Sequence, residues 1–367
     1  MDEAARPPAR DPGPNVPFPP QEAELVDALP QGERWRYEPK WDGFRGVLEN
    51  DGGLVALWSR NGRPLLRYFP ELKAVGDLLP PHSALDGEVV IERAHKLDFE
   101  AMQLRLHPAE SRIRRLSAEI PARFIAFDVL LWDGVPLHRL PFGDRRAALE
   151  ALANPFADAP AGSFAISPST NDVALARRWL DRLEAIGLDG VVAKRSDLAY
   201  APGSREAVLK VKKHKTADCV IVGYRGAGKK VSTLLLGLYR EEGGVLDFVG
   251  HTSGISAKLQ TELAALLPDL IDRDTAVWGQ AMDGGRMPRG QSRWSERKRE
   301  GVEQDWVPLR PVLVCEVRYD KMEESRFRHG TGFLRFRPDK DASKCTWAQV
   351  RMIPRADDPT IAALLDV

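Results

Sequence analysis

From Trp35 to Trp58 apolar and polar residues alternate with a period of two, the pattern of strands with one buried face. Asp51-Gly52-Gly53 interrupts the run as a hairpin turn, and Ser59-Arg60-Asn61-Gly62 follows as a polar turn. A helix-like stretch runs from Tyr68 to Leu79 and stops at Pro80-Pro81. Ala84 to Ile91 reads as a strand, and Phe99 to Leu106 as a short helix. Arg123 to Leu131 is a strongly apolar strand turned by Trp132-Asp133-Gly134. Arg145 to Leu152 is helical in composition. Asp172 to Ile186 has helical spacing, with Asn171 or Asp172 as cap and Gly187 as stop. Leu188 to Arg195 and Val208 to Lys212 are strands again. Strands outnumber helices and few strand-helix-strand repeats occur, so the pattern predicts an α+β fold with mainly antiparallel sheets.

Beyond Lys215 the pattern changes. Short strands at Val220–Tyr224, Leu234–Tyr239, Val245–Val249, Val312–Tyr319 and Phe333–Phe336 alternate with turns, and one helix is predicted over Ala257–Leu267. A small barrel of short strands interrupted by a helix resembles an OB-fold. Two domains are therefore expected, at 21–213 and 214–367, the second including a C-terminal tail. A Pro-rich arm over 1–20 precedes them, and a lysine-rich hinge at 212–216 joins them. The length of 367 residues accommodates both, and 43% hydrophobic with 29% charged residues suits a soluble protein with a real core. No apolar run approaches bilayer length and the N-terminus lacks a signal segment, so a cytoplasmic protein without membrane contact is expected.

Net charge is zero, but its distribution is uneven. Lys210, Lys212, Lys213 and Lys215 cluster, as do Arg225, Lys229 and Lys230; Arg286 to Arg299; and Arg326, Arg328, Arg335 and Arg337. Such clusters suit local phosphate binding, and equally suit solvated faces. Cys219, Cys315 and Cys345 form no Cys-x-x-Cys pair, which argues against a zinc ribbon and a disulfide framework and for buried or incidental thiols. The histidines have no metal-ligand spacing.

Lys40 lies in Glu38-Pro39-Lys40-Trp41-Asp42-Gly43-Phe44-Arg45-Gly46, with strand-like residues on both sides. An amine beside a carboxylate, a glycine and an arginine can serve as a covalent nucleophile once it loses its proton. A free lysine titrates at about 10.4, so the neutral form needs help from a neighbouring arginine or a divalent cation, which Asp42 is placed to hold. A surface turn with Lys40 solvated is the competing reading. Downstream signals change the balance, because Asp86-Gly87-Glu88, Phe127-Asp128, Asp189-Gly190 and Lys210-Val211-Lys212 each set charged or aromatic groups at a strand end or turn. Each has a plain alternative: Phe127 as a core aromatic, the Asp-Gly pairs as strand-edge turns, and Lys210 with Lys212 as one face of a solvated edge strand.

Taken together, these stretches resemble the covalent nucleotidyltransferases, the superfamily of DNA ligases, RNA ligases and mRNA capping enzymes. Lys40-Trp41-Asp42-Gly43-Phe44-Arg45 is similar to motif I and Ser59-Arg60-Asn61-Gly62 to motif Ia. Asp86-Gly87-Glu88 and Phe127-Asp128 resemble the motif III elements, Asp189 to Lys194 motif IV, and Lys210-Val211-Lys212 motif V. Arg337-Pro338-Asp339-Lys340 resembles the Arg-x-Asp-Lys of motif VI in ATP-dependent DNA ligases. The likeness covers nearly all of residues 20–350. With His251-Thr252-Ser253-Gly254 and Trp306 to Arg310, it is strongest to the small bacterial ligase C branch. Asp189 departs from the glutamate usual in motif IV, which shortens the carboxylate's reach by one methylene.

The resemblance implies an adenylation domain followed by an OB-fold domain. It implies Lys40 as the residue that becomes lysyl-AMP, with ATP as cofactor and Mg²⁺ or Mn²⁺ held by Asp42, Glu88 and Asp189. Arg45 and Arg60 are implied to contact nucleotide or nick phosphate, Glu88 the ribose or metal, and Phe127 the adenine face. Glu38 would line the adenine pocket through its backbone; Lys194, Lys210 and Lys212 would hold phosphate; Arg337 and Lys340 would orient pyrophosphate. Nicked duplex DNA is the implied partner of a monomer acting in repair, beside a repair polymerase/primase or end-joining proteins. The competing functions are an RNA ligase, a GTP-using capping enzyme and a non-catalytic OB-type nucleic-acid-binding protein.

Overall fold

In the computed structural model the described residues are 14–152, 154–213, 215–227, 230–272, 306–323, 325–351 and 358–366. Most of the Pro-rich arm, the basic stretch Arg286 to Arg299 and the loop residues Gly228 and Lys229 lie outside them. The chain divides into two units after Lys213.

The strands of the first unit, in chain order, are β1 (Glu24–Val26), β2 (Trp35–Pro39), β3 (Phe44–Asp51), β4 (Leu54–Ser59) and β5 (Ser83–Arg93). Next come β6 (Lys96–Leu97), β7 (Ala122–Leu131), β8 (Phe164–Ile166), β9 (Val191–Arg195) and β10 (Val208–Val211). They form one sheet in the order β4-β3-β5-β7-β8, with β6 beside β5, and a second in the order β1-β10-β9-β2. Pairing is antiparallel except at β7–β8 and β1–β10. Strand β10 lies between β1 and β9, so Lys210 stands on an inner strand rather than an edge.

Leu48, Leu85, Phe124 and Val129 belong to one core of the first sheet, and Tyr37, Trp179, Leu183 and Val191 to another beside the second. The helix Val173–Arg182 starts at Asp172, whose carboxylate accepts the Ala174 N–H, and a 3₁₀ turn ends at Gly187 with φ +89°. The stretch from Tyr68 to Leu79 is not one helix. It splits into 3₁₀ turns at Leu66–Tyr68 and Pro70–Leu72 and a short helix at Lys73–Gly76. Pro70 has no N–H to donate back into the preceding turn, so it starts a new one. The helix Glu110–Glu119 escapes the sequence pattern, because it buries only Ile113 and Leu116 beneath a charged surface.

The second unit contains β11 (Lys215–Ala227), β12 (Lys230–Tyr239), β13 (Leu246–Ser253), β14 (Val307–Pro308), β15 (Val314–Tyr319) and β16 (Thr331–Phe336). Their order is β12-β13-β16-β15-β11-β14, and β11 also pairs with β12. That extra pairing closes five strands into a ring, as in an OB-fold barrel. Register shifts after Ile221 and Arg225 bend β11, which pairs with β15 through its first half and β12 through its second. Cys219, Cys315 and Cys345 are all free and buried in this barrel's core.

The described tail residues 358–366 group with the first unit, not with the second where the sequence reading put them. Ile361 and Leu364 are buried in the core that holds Trp179 and Leu183, and Arg182 pairs with Asp358 at 3.3 Å. Two apolar side chains one helical turn apart need a hydrophobic surface, and the helix Val173–Arg182 offers one.

Candidate active site

Strands β2 and β9 pair up to Pro39 and Val191, and the chain leaves both at the same end. There the Lys40 N–H donates to the Gly190 carbonyl at 2.9 Å, and the Asp189 N–H donates to the Lys40 carbonyl at 3.0 Å. Two glycines allow neighbouring backbone to pack closely around this corner. A Cβ at Gly190, where φ is +137°, would stand 2.1 Å from the Val211 carbonyl, and one at Gly43 2.0 Å from that of Val89. Nζ of Lys40 then lies 2.7 Å from Asp189 Oδ2, and Nζ of Lys212 lies 2.6 Å from the same oxygen. Burial alone would raise the Asp189 carboxyl, but the Lys40 and Lys212 ammonium groups outweigh it and hold it at about 2. Burial lowers the Lys210 ammonium, and Lys40, Lys212, Arg205 and Arg60 lower it further.

A cavity of about 430 Å³ opens beside this pair, lined by Glu38, Lys40, Arg45, Arg60, Glu88, Phe127, Lys194 and Lys210. Phe127 reaches it through a β-bulge. Asp86 pairs with Asp128 and Gly87 with Ala126, so Phe127 is the extra residue between them. The bulge flips the strand's parity: Phe124 and Ala126 face the core before it, Val129 after it. Phe127 is thereby half-buried in the cavity wall instead of joining the core. Asp128 also borders the cavity and takes a paired contact from Arg145, both bonds at 2.8 Å.

Cations surround the Phe127 ring. Lys194 Nζ lies 4.5 Å from its centroid, donates to the Phe127 carbonyl at 3.1 Å and pairs with Glu38 at 2.7 Å. Arg45 Cζ lies 5.2 Å from the same centroid. Glu38 is buried, and burial pushes its carboxyl up against the pull of Lys194 and Arg146. Its Oε1 accepts no hydrogen bond among the described residues and lies 3.8 Å from Arg146 Nη1, and Glu38 is one of the residues that line the cavity. Glu88 accepts the Gly43 N–H at 3.1 Å. Burial pushes the Glu88 carboxyl up to about 7, opposed by Lys40 and Arg45 and reinforced by Asp42.

Arg60 and Arg205 at the rim both donate to Glu22, Arg205 at 2.7 Å. In the second unit, Arg337 and Lys340 converge on Asp218, at 2.9 and 2.6 Å. Sequence reasoning missed Glu22, Arg205 and Asp218. Each is an acid or base whose partner lies far along the chain, so no local pattern marked it.

The carboxylates assigned to a metal do not assemble. Among the described residues no three His, Cys, Asp or Glu side chains form a ligating group. Asp42, Glu88 and Asp189 are therefore not a ready-made cage, and Asp189 is already engaged by two ammonium groups. The protein alone does not supply the oxygen shell that a hard divalent cation needs.

Comparison with known proteins extends what this geometry indicates. The profile of the family described as "ATP dependent DNA ligase domain" matches residues 21–212, and that described as "ATP dependent DNA ligase C terminal region" matches 227–340. DNA ligase C of Mycobacterium tuberculosis is 44% identical over 345 residues, spanning 91% of this chain and 94% of the relative. DNA ligase C2 of Mycolicibacterium smegmatis is 43% identical over 355 residues, spanning 94% of this chain and 97% of the relative. The solved structure of a Lig E DNA ligase has a TM-score of 0.52 at 19% identity, covering 86% of this chain and 98% of its own, and shares the fold. These relatives match 91% and 94% of the chain, and the two profiles span most of both units: the chain is a member of the ATP-dependent DNA ligases.

Proposed function

We propose that this chain seals nicks in duplex DNA, with Lys40 as the nucleophile. The Lys40 amine, once deprotonated, attacks the α-phosphorus of ATP; the bond to the bridging oxygen breaks, pyrophosphate leaves, and a phosphoramidate forms. The 5′-phosphate at a nick then takes the AMP and frees Lys40. The 3′-hydroxyl attacks the phosphorus of that 5′-phosphate, gives up its proton, and breaks the bond to the bridging oxygen, so that AMP leaves. The observation that carries this reading is that Lys40 lines the cavity walled by Phe127, together with Lys210 and Arg60. Phe127 offers a stacking face for adenine, worth about 1–3 kcal/mol for a base on an aromatic ring. Lys194, Lys210, Lys212, Arg45 and Arg60 supply fixed positive charge where oxyanions gather.

Mg²⁺ or Mn²⁺ belongs to the proposal only as a partner of ATP. Because the carboxylates form no cage, its remaining ligands would come from nucleotide phosphates and water. Arg337 and Lys340 are assigned to pyrophosphate departure. The setting is cytoplasmic repair by a monomer. The LigD relative of Mycolicibacterium smegmatis, 31% identical over 86% of this chain and 38% of its own length, carries end joining in its name. End-joining proteins or a repair polymerase/primase are accordingly the partners to test.

Incubation with α-labelled ATP or GTP and a divalent metal, beside Lys40→Ala, tests the core of this reading. Acid-labile label from ATP that disappears in the variant, and that a nicked DNA chase removes, supports it. Label from GTP alone would move the chain to capping chemistry; transfer only to nicked RNA would make it an RNA ligase. No label, with protein free of bound AMP, would leave a nucleic-acid-binding module.

A further inference from the structure

Four residues close a ring of hydrogen bonds behind the cavity. Asp86 is fully buried and accepts from Arg45 Nε at 2.9 Å, Arg45 Nη2 at 2.5 Å and the Tyr200 hydroxyl at 2.7 Å. The Tyr200 oxygen accepts in turn from the Gln21 N–H at 2.9 Å, and the Gln21 carbonyl accepts from Arg45 Nη1 at 2.6 Å. Gln21, Arg45 and Tyr200 all border the cavity, whereas Tyr200 lies outside every stretch that the sequence singled out.

The chemistry of the ring selects a phenol at position 200. Its hydroxyl must donate to a carboxylate and accept from a backbone N–H at once, which a hydroxyl can do and a phenyl ring cannot. The guanidinium of Arg45 is a rigid fork, so fixing three of its nitrogens fixes its plane and its place beside the Phe127 ring. The same hydroxyl pins the backbone of Gln21 and with it the start of the cavity wall that runs on to Leu25. We infer that Tyr200 is a positioning residue for adenylyl transfer: it aims Arg45 at the nucleotide and holds the N-terminal wall against the same carboxylate. This rests on the reading that ATP binds in this cavity with Arg45 against it.

The test compares Tyr200→Phe, Arg45→Lys and the double variant in lysyl-AMP formation across ATP concentrations, with melting midpoints for each. Tyr200→Phe is expected to raise the KM for ATP roughly 5- to 20-fold, to change the saturated rate less than about threefold, and to melt within a few degrees of wild type. In the Arg45→Lys background the same change is expected to cost less than about twofold, since the fork it aims is gone. Full, multiplicative losses in the double variant would overturn the assignment. So would an unchanged KM in Tyr200→Phe, and so would a collapsed melting midpoint with rate and KM lost together, which would make Tyr200 a core residue only. A wild-type chain that takes no label from ATP is seen before any variant is compared, and sinks the underlying reading rather than the ring alone.

Discussion

Asp189 Oδ2 stands 2.7 Å from Nζ of Lys40, although 149 residues separate them. The same oxygen is shared with Lys212 at 2.6 Å, so one carboxylate holds two ammonium groups together in a partly buried place. Asparagine there would leave two like charges facing each other. Asp189→Asn is expected to destabilise the first unit by about 2 kcal/mol at pH 7 and to slow lysyl-AMP formation at least tenfold. The folded carboxyl sits at about 2, below its unfolded value of about 3.9, so its contribution is complete above about pH 4 and fades toward pH 2. Urea melts of both proteins between pH 7 and pH 3 check this; a gap that does not narrow on acidification contradicts it.

Glu88 carries the opposite sign. Its folded carboxyl is pushed up to about 7, whereas an unfolded glutamate titrates near 4.3. Between those values the folded chain keeps a proton that the unfolded chain has lost, so stability falls as pH rises through that window. Glu88→Gln is expected to match wild type below about pH 4.5 and to exceed it above pH 7 by on the order of 2–3 kcal/mol, while losing adenylyl transfer. Denaturation midpoints at pH 5 and pH 8 decide it, and a constant difference between the two would refute the assignment.

Phe127 should matter for ATP rather than for folding. It occupies a bulge in β7 and faces the cavity, outside the core clusters. Phe127→Ala is expected to raise the KM for ATP about 10- to 100-fold through lost stacking. Its melting midpoint should fall by less than that of Phe124→Ala, which empties a fully buried site. The reverse order of melting midpoints would return Phe127 to the core.

Asp218 gathers Arg337 and Lys340 within the second unit. If these cations serve pyrophosphate departure, Lys340→Ala should block lysyl-AMP formation and spare sealing of nicks that already carry AMP. Asp218→Asn should follow the same split, with a smaller loss. Equal damage to both steps in either variant would break the division of labour between motif VI and Lys40.

Sealing should also weaken steeply with salt. Arg60 and Arg205 are exposed at the cavity rim, and phosphate contacts of this kind release counterions. A nick-binding constant that stays flat between about 50 and 200 mM salt would argue against grip through phosphates.

The sequence was most legible where a residue's task is local. The alternation around Lys40 marks β2 and β3, Asp172 caps its helix, and Gly187 stops the turn that follows, because strand period, caps and left-handed glycines depend on near neighbours. Lys40, Glu88, Phe127 and Lys210 were found through motif order, and the fold brings all of them to one cavity. Asp42, Glu88 and Asp189 were given to a metal by the resemblance, and the pairing of Asp189 with Lys40 and Lys212 was not legible in it. The short turns after Leu65 were hidden by an apolar spacing that Pro70 interrupts.

What the sequence determined by itself is the α+β character and the family, since both are written in short stretches whose order can be read along the chain. Tertiary structure decided which way Phe127 points, because a one-residue bulge reverses strand parity without leaving a mark in composition. It placed the Ile361 and Leu364 helix on the first unit, and it closed the ring through Asp86, Tyr200 and Gln21. The last two outcomes depend on contacts between residues more than 100 positions apart, such as Tyr200 with Asp86 and Gln21, and such contacts are fixed only when the sheets pack.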